Sequence, residues 1–549
     1  MNRKERIKSW ARREWPLLTI LAATFLLRVV GIGYGLPLTV VADEPPFSLT
    51  ALKMMQLHTL IPAQHEQEFS TILYYPPYLS YILLLPFLAI VGLKYVLWSG
   101  PIASFSATLL SDLSPFFLVA RLVSVLSAVL SIYLIYRIAE SLFSSRIVAT
   151  LAAFLLSTSI LHIALSMVGR HWVPASLIFL LALYVLTRSW SFRRRYISAF
   201  VVAGFGMGIS TICVLALPLI GLYYLFFDAR SFRESFKDIP VGIVGLGIFA
   251  TLAVIPALLF RSSNHIVENI AFFADKTVPG LLLSPVSSIA LNVFSEPLFV
   301  GAFLVGLALL LWQRNKLGYV ILLFFLIYSA FFYIFFRFDA RFLLPLLPLY
   351  ALIGGYALAR LWEMRARSLV VVLLLIPTVA AVRLDMLALQ NDTRVHARQW
   401  VLENLAPTDK LLVNVALLRI PTTPEAVTEL RALDRAAVRK TDESDEILAR
   451  DDLPHALNNL IALRFETLRT LPDYAKEHGY TYLVYSSQFA DATSTEFFAN
   501  FTKELPVVKR FGGFGITTSL ADSAFYDPLP HLFEDSMLGP TIVIFKLNK

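Results

Sequence analysis

Charge is scarce in this chain and cysteine is almost absent. Only 16% of its 549 residues are Asp, Glu, Lys or Arg, against roughly 25% in a soluble domain. The single cysteine, Cys213, lies in an apolar run and excludes an intrachain disulfide, a redox pair and a cysteine metal cluster. The middles of the apolar runs hold few ionisable groups, and a proton or ion path through a bilayer needs polar groups there. A cleavable signal peptide is not expected either. The basic start "MNRKERIKSWARREW" leads into an apolar run too long for a signal core, without a clear small-residue cleavage site. It reads as a retained first helix with a cytoplasmic basic flank.

Apolar sequence is what the chain has in quantity: 57% hydrophobic residues and a mean hydropathy of +0.68. A membrane span takes roughly 17–25 mostly apolar residues. Runs of that length fall at 16–36, 76–98, 116–138, 147–166, 172–190, 196–227, 239–260, 286–312, 317–336, 341–361 and 368–388. The run 196–227 is long enough for two short helices, with a break in "GMGIST" before Cys213. The loops 137–146, 188–196, 228–238, 313–316 and 360–367 hold most of the Lys and Arg of this half. If 76–98 does not cross, all of them share the N-terminal side, as the positive-inside rule requires. If it crosses, 137–146 and 188–196 fall outside, against that rule. Pro76, Pro77, Pro86 and a Tyr-rich start suit an interfacial segment. The expected fold is therefore a polytopic α-helical membrane protein of about eleven transmembrane helices, with interfacial helices in the first outer loop, 37–115.

From about Asn391 the long apolar runs stop and charges become frequent. "TRVHARQWVLENL" reads as a helix and "KLLVNV" as a strand; "LPDYAKEHGY" then "TYLVYSS" repeats that order, and "GPTIVIFKL" reads as a last strand. The expected domains are a transmembrane part, 1–389, and an extracytoplasmic α/β domain, 390–549, placed outside by parity.

Ionisable residues gather in one layer, at the outer ends of the predicted helices. They are Asp43, Glu44, Arg121, Arg170, His171, Arg337, Asp339 and Arg341, with Arg28 inside the first span. A charge at a helix centre costs roughly 2.5–3.5 kcal/mol on insertion scales, so it faces a polar cavity or a partner. Each arginine alone is accounted for by snorkelling to headgroups, and Asp43 by an N-cap ahead of Pro45 and Pro46. The layer as a whole suits an anionic phosphate ligand, which guanidinium binds through planar paired donors.

These motifs, in order, resemble the glycosyltransferase C superfamily, in the branch of the dolichyl-phosphate-mannose protein mannosyltransferases and the lipid A aminoarabinose transferase. The matching features are Asp43-Glu44 after the first span and Tyr75-Pro76-Pro77 opening an interfacial helix. "ARLVSVLSAVLSIYLIYRIAESLF", "RFLLPLLPLYALIGGYALA" from Arg341 and "DTRVHARQWVLENLAP" follow. The resemblance implies transfer of a sugar from a polyprenyl-phosphate donor to a protein, lipid or glycan acceptor outside the cytoplasm, with inversion, in the plasma (inner) membrane. It implies Asp43 as general base with Glu44 beside it, and Arg341 and Arg337, then Arg28 and Arg121, on the donor phosphate. Tyr75, Arg170, His171 and Trp172 are the expected acceptor or sugar pocket. Two departures stand out. Where many relatives carry a second acid, this chain has Arg170-His171-Trp172, and where the aminoarabinose transferases have a phosphate-binding lysine it has Tyr75. The first departure counts against a two-carboxylate metal site, so no cofactor is required; a divalent metal is the alternative, with His265 and Glu268, i and i+3, as candidate ligands against a solvated surface pair. Membrane lipids are expected partners and nucleic acid is not. Two other classes remain: a transporter or flippase of a lipid-linked sugar, which needs polar groups along its path, and a non-catalytic anchor for the outer domain.

Overall fold

The computed structural model describes residues 3–41, 44–69, 72, 75–229, 237–259, 277–293, 296–335, 340–415, 418, 420, 423, 458–461, 473–486, 492–512, 532–533 and 536–547. The chain forms two compact units. One holds Met1–Ile32, Glu44–Leu88 and Leu118–Asp385; the other holds Gly33–Asp43, Ala89–Phe117 and Met386–Lys549.

The first unit is helical. Along the chain, with α5 and the end of α4 belonging to the second unit, the helices begin with α1 (Arg3–Val29), α2 (Pro45–Gln56), α3 (Glu66–Phe69), α4 (Tyr78–Val96), α5 (Ile102–Ser111), α6 (Ser114–Phe143), α7 (Arg146–Thr158) and α8 (Ile160–Ser166). Next come α9 (Trp172–Leu186), α10 (Phe192–Gly206), α11 (Ala216–Tyr223), α12 (Ile239–Leu259), α13 (Val278–Val293), α14 (Pro297–Trp312), α15 (Lys316–Phe335), α16 (Leu347–Glu363) and α17 (Arg367–Leu389). Among the described residues seven helical segments are long and apolar enough to cross a membrane, or eight if the bent pair α7–α8 is one span. Within the segment Ala340–Glu363 every residue from Leu343 to Ala359 is buried, and it forms the centre, whereas in Ile239–Leu259 only Gly245, Phe249 and Pro256 are buried. At the centre α16 packs on α14 and α7 through small residues. A Cβ on Gly306 would come within 2.3 Å of the Ile353 carbonyl oxygen, and one on Gly355 within 2.6 Å of the Ala152 nitrogen. Without a hydrophobic drive between helices in lipid, such close crossings supply the packing energy.

The Arg121 guanidinium, near the start of α6, donates to the Ile32 carbonyl just past α1 at 2.8 Å. The end of α1 and the start of α6 therefore lie at the same end of the bundle. The run 76–98, expected to be an interfacial segment, forms the helix α4, which is long and apolar enough to cross a membrane. The break expected in 196–227 is present: α10 stops at Gly206, and a 3-10 turn, Thr211–Leu215, leads into α11. Two other runs differ from the expectation of continuous spans. The run 147–166 is broken at Ser159, where α7 and α8 meet at 59°. The run 286–312 divides into α13 and α14, because Pro297 opens α14 and forces Glu296 out of the helical region (φ −137°, ψ 60°).

The second unit carries a five-stranded sheet of order β2-β1-β3-β5-β4. Its strands are β1 (Lys410–Asn414), β2 (Asn458–Ile461), β3 (Tyr482–Tyr485), β4 (Val507–Phe511) and β5 (Ile542–Lys546). β2, β1 and β3 run parallel, and β5 pairs antiparallel with β3 and β4. Successive residues point to opposite faces. Leu411, Val413, Ile542 and Ile544 pack with α18 (Thr393–Asn404), through Ala397 and Val401. Leu412, Val543 and Phe545 pack with α19 (Ala492–Thr502), through Phe498. A sheet covered on both faces makes this an α/β domain.

Candidate active site

Helix α2 opens with Pro45 and Pro46, which have no N–H for a capping side chain to reach. Glu44, at the cap position, makes no cap bond, and its carboxylate turns elsewhere. It is fully buried and accepts a bidentate pair from Arg121, Nε to Oε1 at 2.6 Å and Nη2 to Oε2 at 2.7 Å. The Gly169 N–H adds a third donor at 2.8 Å. A Cβ at position 169 would sit 2.8 Å from the Ala120 Cβ, so glycine is what lets this N–H approach.

Gly169 leads into Arg170, His171 and Trp172, all buried at the start of α9. His171 is the centre of an aromatic cluster drawn from three stretches. Its ring lies 5.4 Å from Phe47 on α2, 4.8 Å from Tyr75 and 4.5 Å from Trp172. Phe47 stacks on Tyr75 at 4.9 Å. Trp172 meets Phe342 edge-on at 5.1 Å, and the Arg341 guanidinium sits 5.3 Å from the same Phe342 ring. Burial first, then the charges of Arg170 and Arg341, hold the His171 pKa well below the ordinary histidine range. The imidazole is therefore neutral, and its Nδ1, like the Trp172 indole Nε1, is buried with no hydrogen-bond partner among the described residues. Neutral hydrogen-bonding groups beside two guanidiniums and flat apolar rings can hold a phosphorylated, ring-shaped ligand.

The expected residues divide as follows. Tyr75, Arg170, His171, Trp172 and Arg341 come together. Asp43, Arg337, His265 and Glu268 lie outside the described residues, as does Asp339. Arg121 is placed otherwise than expected: its guanidinium is committed to Glu44 and the Ile32 carbonyl, so it holds protein groups rather than a donor phosphate. Glu44 is bound in the same pair and has no surface to offer an acceptor hydroxyl. Arg28 is also reassigned. Fully buried, it donates from Nη1 to the Thr24 and Ser157 carbonyls at 3.1 Å each and from Nη2 to the Leu156 carbonyl at 3.5 Å. Its Nη2 also lies 2.9 Å from His162 Nδ1. Arginine only donates, so Nδ1 accepts and the His162 ring proton sits on Nε2. Asp385, on α17, is near enough for its charge to act on Arg28. These bonds satisfy the carbonyls at the end of α7, each of which costs on the order of several kcal/mol if left bare in hydrocarbon.

Phe47, Gly169 and Glu296 were not singled out in the sequence. Glu296 had a signal, a lone acid before Pro297 in an apolar run. Among the described residues no three His, Cys, Asp or Glu side chains gather as a metal ion would need.

Residues 99–255 match the family model of the dolichyl-phosphate-mannose-protein mannosyltransferases. The match takes in Arg121 and Arg170–Trp172 and leaves Glu44 and Arg341 outside it. No curated protein matches. Crystal structures of ArnT from Cupriavidus metallidurans, bound to undecaprenyl phosphate and in the apo state, align at a TM-score of 0.49 each. They are 13% and 12% identical, over 97% and 98% of this chain and 98% of each of theirs. The Archaeoglobus fulgidus oligosaccharyltransferase tethered to an acceptor peptide with the NVT sequon aligns at 0.40, 12% identical, over 89% of this chain and 71% of its own.

Proposed function

We propose that this chain is a membrane glycosyltransferase of the glycosyltransferase C superfamily, a reading its family match over residues 99–255 supports, and that it moves a sugar from a polyprenyl-phosphate donor to an acceptor hydroxyl, with inversion at the anomeric carbon. The observation that carries the reading is the gathering of Tyr75, Arg170, His171, Trp172 and Arg341 around one neutral imidazole.

In the proposed reaction the Asp43 carboxylate takes the proton of the acceptor hydroxyl as its oxygen attacks C1 of the sugar. The bond from C1 to the phosphate oxygen breaks, and polyprenyl phosphate leaves with the electron pair. A placed carboxylate base typically contributes about 10²–10⁴-fold, because a neutral hydroxyl is a poor nucleophile. The leaving phosphate gains negative charge, which preplaced donors stabilise most in the transition state. Arg341 is assigned to it, with Arg337 as in the sequence reading and Arg170 as a second cation at His171. Tyr75, Phe47 and Trp172 offer apolar faces to the sugar. The N-terminus lies in the cytoplasm of an inner membrane and the α/β domain outside it. The acceptor is a protein, lipid or glycan.

The test is incubation of the purified protein with a panel of radiolabelled polyprenyl-phosphate sugars, following the label into acceptor. Transfer from one donor is expected. Asp43→Asn should lower it by at least about 10²-fold without loss of folded protein or donor binding, and Arg341→Ala by about 10²–10³-fold. Undiminished transfer in Asp43→Asn removes Asp43 as the base. Donor movement across vesicles without transfer replaces the reading by a flippase.

A further inference from the structure

We infer that Glu296 and Arg28 are positioning residues, which clamp the break between α7 and α8 and thereby set the Gly169–Trp172 turn for the reaction. This rests on the function proposed above.

Ser159 ends α7 and starts α8 at once, in an extended conformation (φ −62°, ψ 121°). A break there frees carbonyls on one side and N–H groups on the other. Each set is met by a side chain from a distant part of the chain. Arg28 of α1 takes the Leu156 and Ser157 carbonyls. On the other side Glu296, at the cap position of α14, accepts the Leu161 N–H at 2.8 Å and the Ser159 hydroxyl at 2.7 Å, both through Oε1. The Ser159 Oγ in turn accepts from the His162 N–H at 3.3 Å. Glu296 is 6% exposed and Arg28 is fully buried. The guanidinium thus faces acceptors and the carboxyl oxygen faces donors, and neither could exchange places with the other.

What the clamp controls follows from chain geometry. The seven residues of α8 rise about 10 Å, and the turn they lead into presents the Gly169 N–H to Glu44 and then Arg170, His171 and Trp172. Straightening a 59° bend over that length would move the far end of α8 by about 10 Å. Misplacement by even 1 Å of groups that orient a reacting centre costs up to about 10²-fold in rate. Arg28 and Glu296 touch no substrate in this scheme; they act through the backbone of α8.

Three variants of the full-length protein separate this role from plain stability. Glu296→Ala removes both acceptor bonds. Glu296→Gln keeps an amide oxygen able to accept from Ser159 and Leu161. Ser159→Ala removes the hydroxyl alone and serves if Glu296→Ala does not fold. The readouts are kcat and donor KM per folded molecule, and amide hydrogen exchange over residues 160–172. Glu296→Ala is expected to lower kcat by about 10–100-fold with donor KM within about threefold, and to speed exchange. Glu296→Gln should stay within about threefold in kcat with slow exchange, and Ser159→Ala should fall between them. Unchanged kcat per folded molecule in Glu296→Ala overturns the inference. So does a Glu296→Gln as impaired as Glu296→Ala with exchange unaltered, since the charge would then act on the chemistry itself. If the unmodified protein transfers no sugar from any donor, the proposed function falls, while exchange still decides the clamp: unaltered exchange in Glu296→Ala overturns it.

Discussion

Glu44 and Arg121 stand 77 positions apart and meet as a bidentate pair with almost no exposure to water. Removing one leaves the other as a bare buried charge, which costs about 3–5 kcal/mol. Replacing both by apolar residues of similar volume removes the charge together with its partner. Glu44→Ala and Arg121→Ala should each lower thermal stability in detergent, and the double variant Glu44→Leu/Arg121→Met should lose less than the sum of the two. A double variant as unstable as that sum would show that the pair is not coupled. Both residues were legible in the sequence, because a charge in an apolar setting has to be accounted for. Their partnership was not, because a sequence displays a charge and not what it faces. The same holds for Arg28, whose acceptors are the backbone carbonyls of another helix. Arg170, His171 and Trp172 stood out as a local departure from the expected pattern, and their meeting with Tyr75 and Arg341 took the fold to reveal.

At the scale of elements, apolar length located most helices and missed two breaks, at Ser159 and at Glu296 ahead of Pro297. The break after Gly206, which was expected, is signalled locally by the glycines of "GMGIST". The one at Ser159 is held from outside the segment, by Arg28 and Glu296, and its signal within 147–166 is limited to the Ser159 hydroxyl that caps α8. Helix contacts are encoded more locally, in where glycine stands. On α14, a Cβ added to Gly306 would come 2.3 Å from the Ile353 carbonyl oxygen, whereas one added to Gly301 meets nothing within 4 Å. Gly306→Ala must push α14 away from α16 and should destabilise by about 1–3 kcal/mol. Gly301→Ala, in the same helix, should be neutral or slightly stabilising, because alanine costs less backbone entropy. Thermal unfolding of the two variants in detergent checks this, and equal behaviour would mean that the α14–α16 crossing is not set by that glycine.

At the scale of the whole molecule, the strand-like runs "KLLVNV", "TYLVYSS" and "GPTIVIFKL" fall on β1, β3 and β5, whereas β2, β4 and the order of the sheet had no signal. Nor does the sequence show that Gly33–Asp43 packs in the same unit as the C-terminal domain. In that unit the Tyr34 hydroxyl donates to Asp392, the residue that caps α18, and the Gly35 N–H donates to Asn391 Oδ1 at 2.7 Å. Asp392 is held besides by Arg394, through its backbone N–H at 2.9 Å and its guanidinium at 2.7 and 2.9 Å. The stretch that precedes the proposed base is therefore tied at Tyr34 and Gly35 to the start of the first helix of the α/β domain, and the reaction proposed above predicts a part for that domain in catalysis as well as in anchoring. Tyr34→Phe removes one bond from this cluster and leaves Asp392 paired with Arg394, so stability should fall by only about 0.5–1.5 kcal/mol. Transfer should fall further than folded protein does, by about three- to tenfold in kcat, as expected when a base is less firmly placed. The comparison to make is kcat per folded molecule in Tyr34→Phe against the unmodified chain. Equal values would separate the α/β domain from the chemistry and leave it to binding the acceptor or a partner.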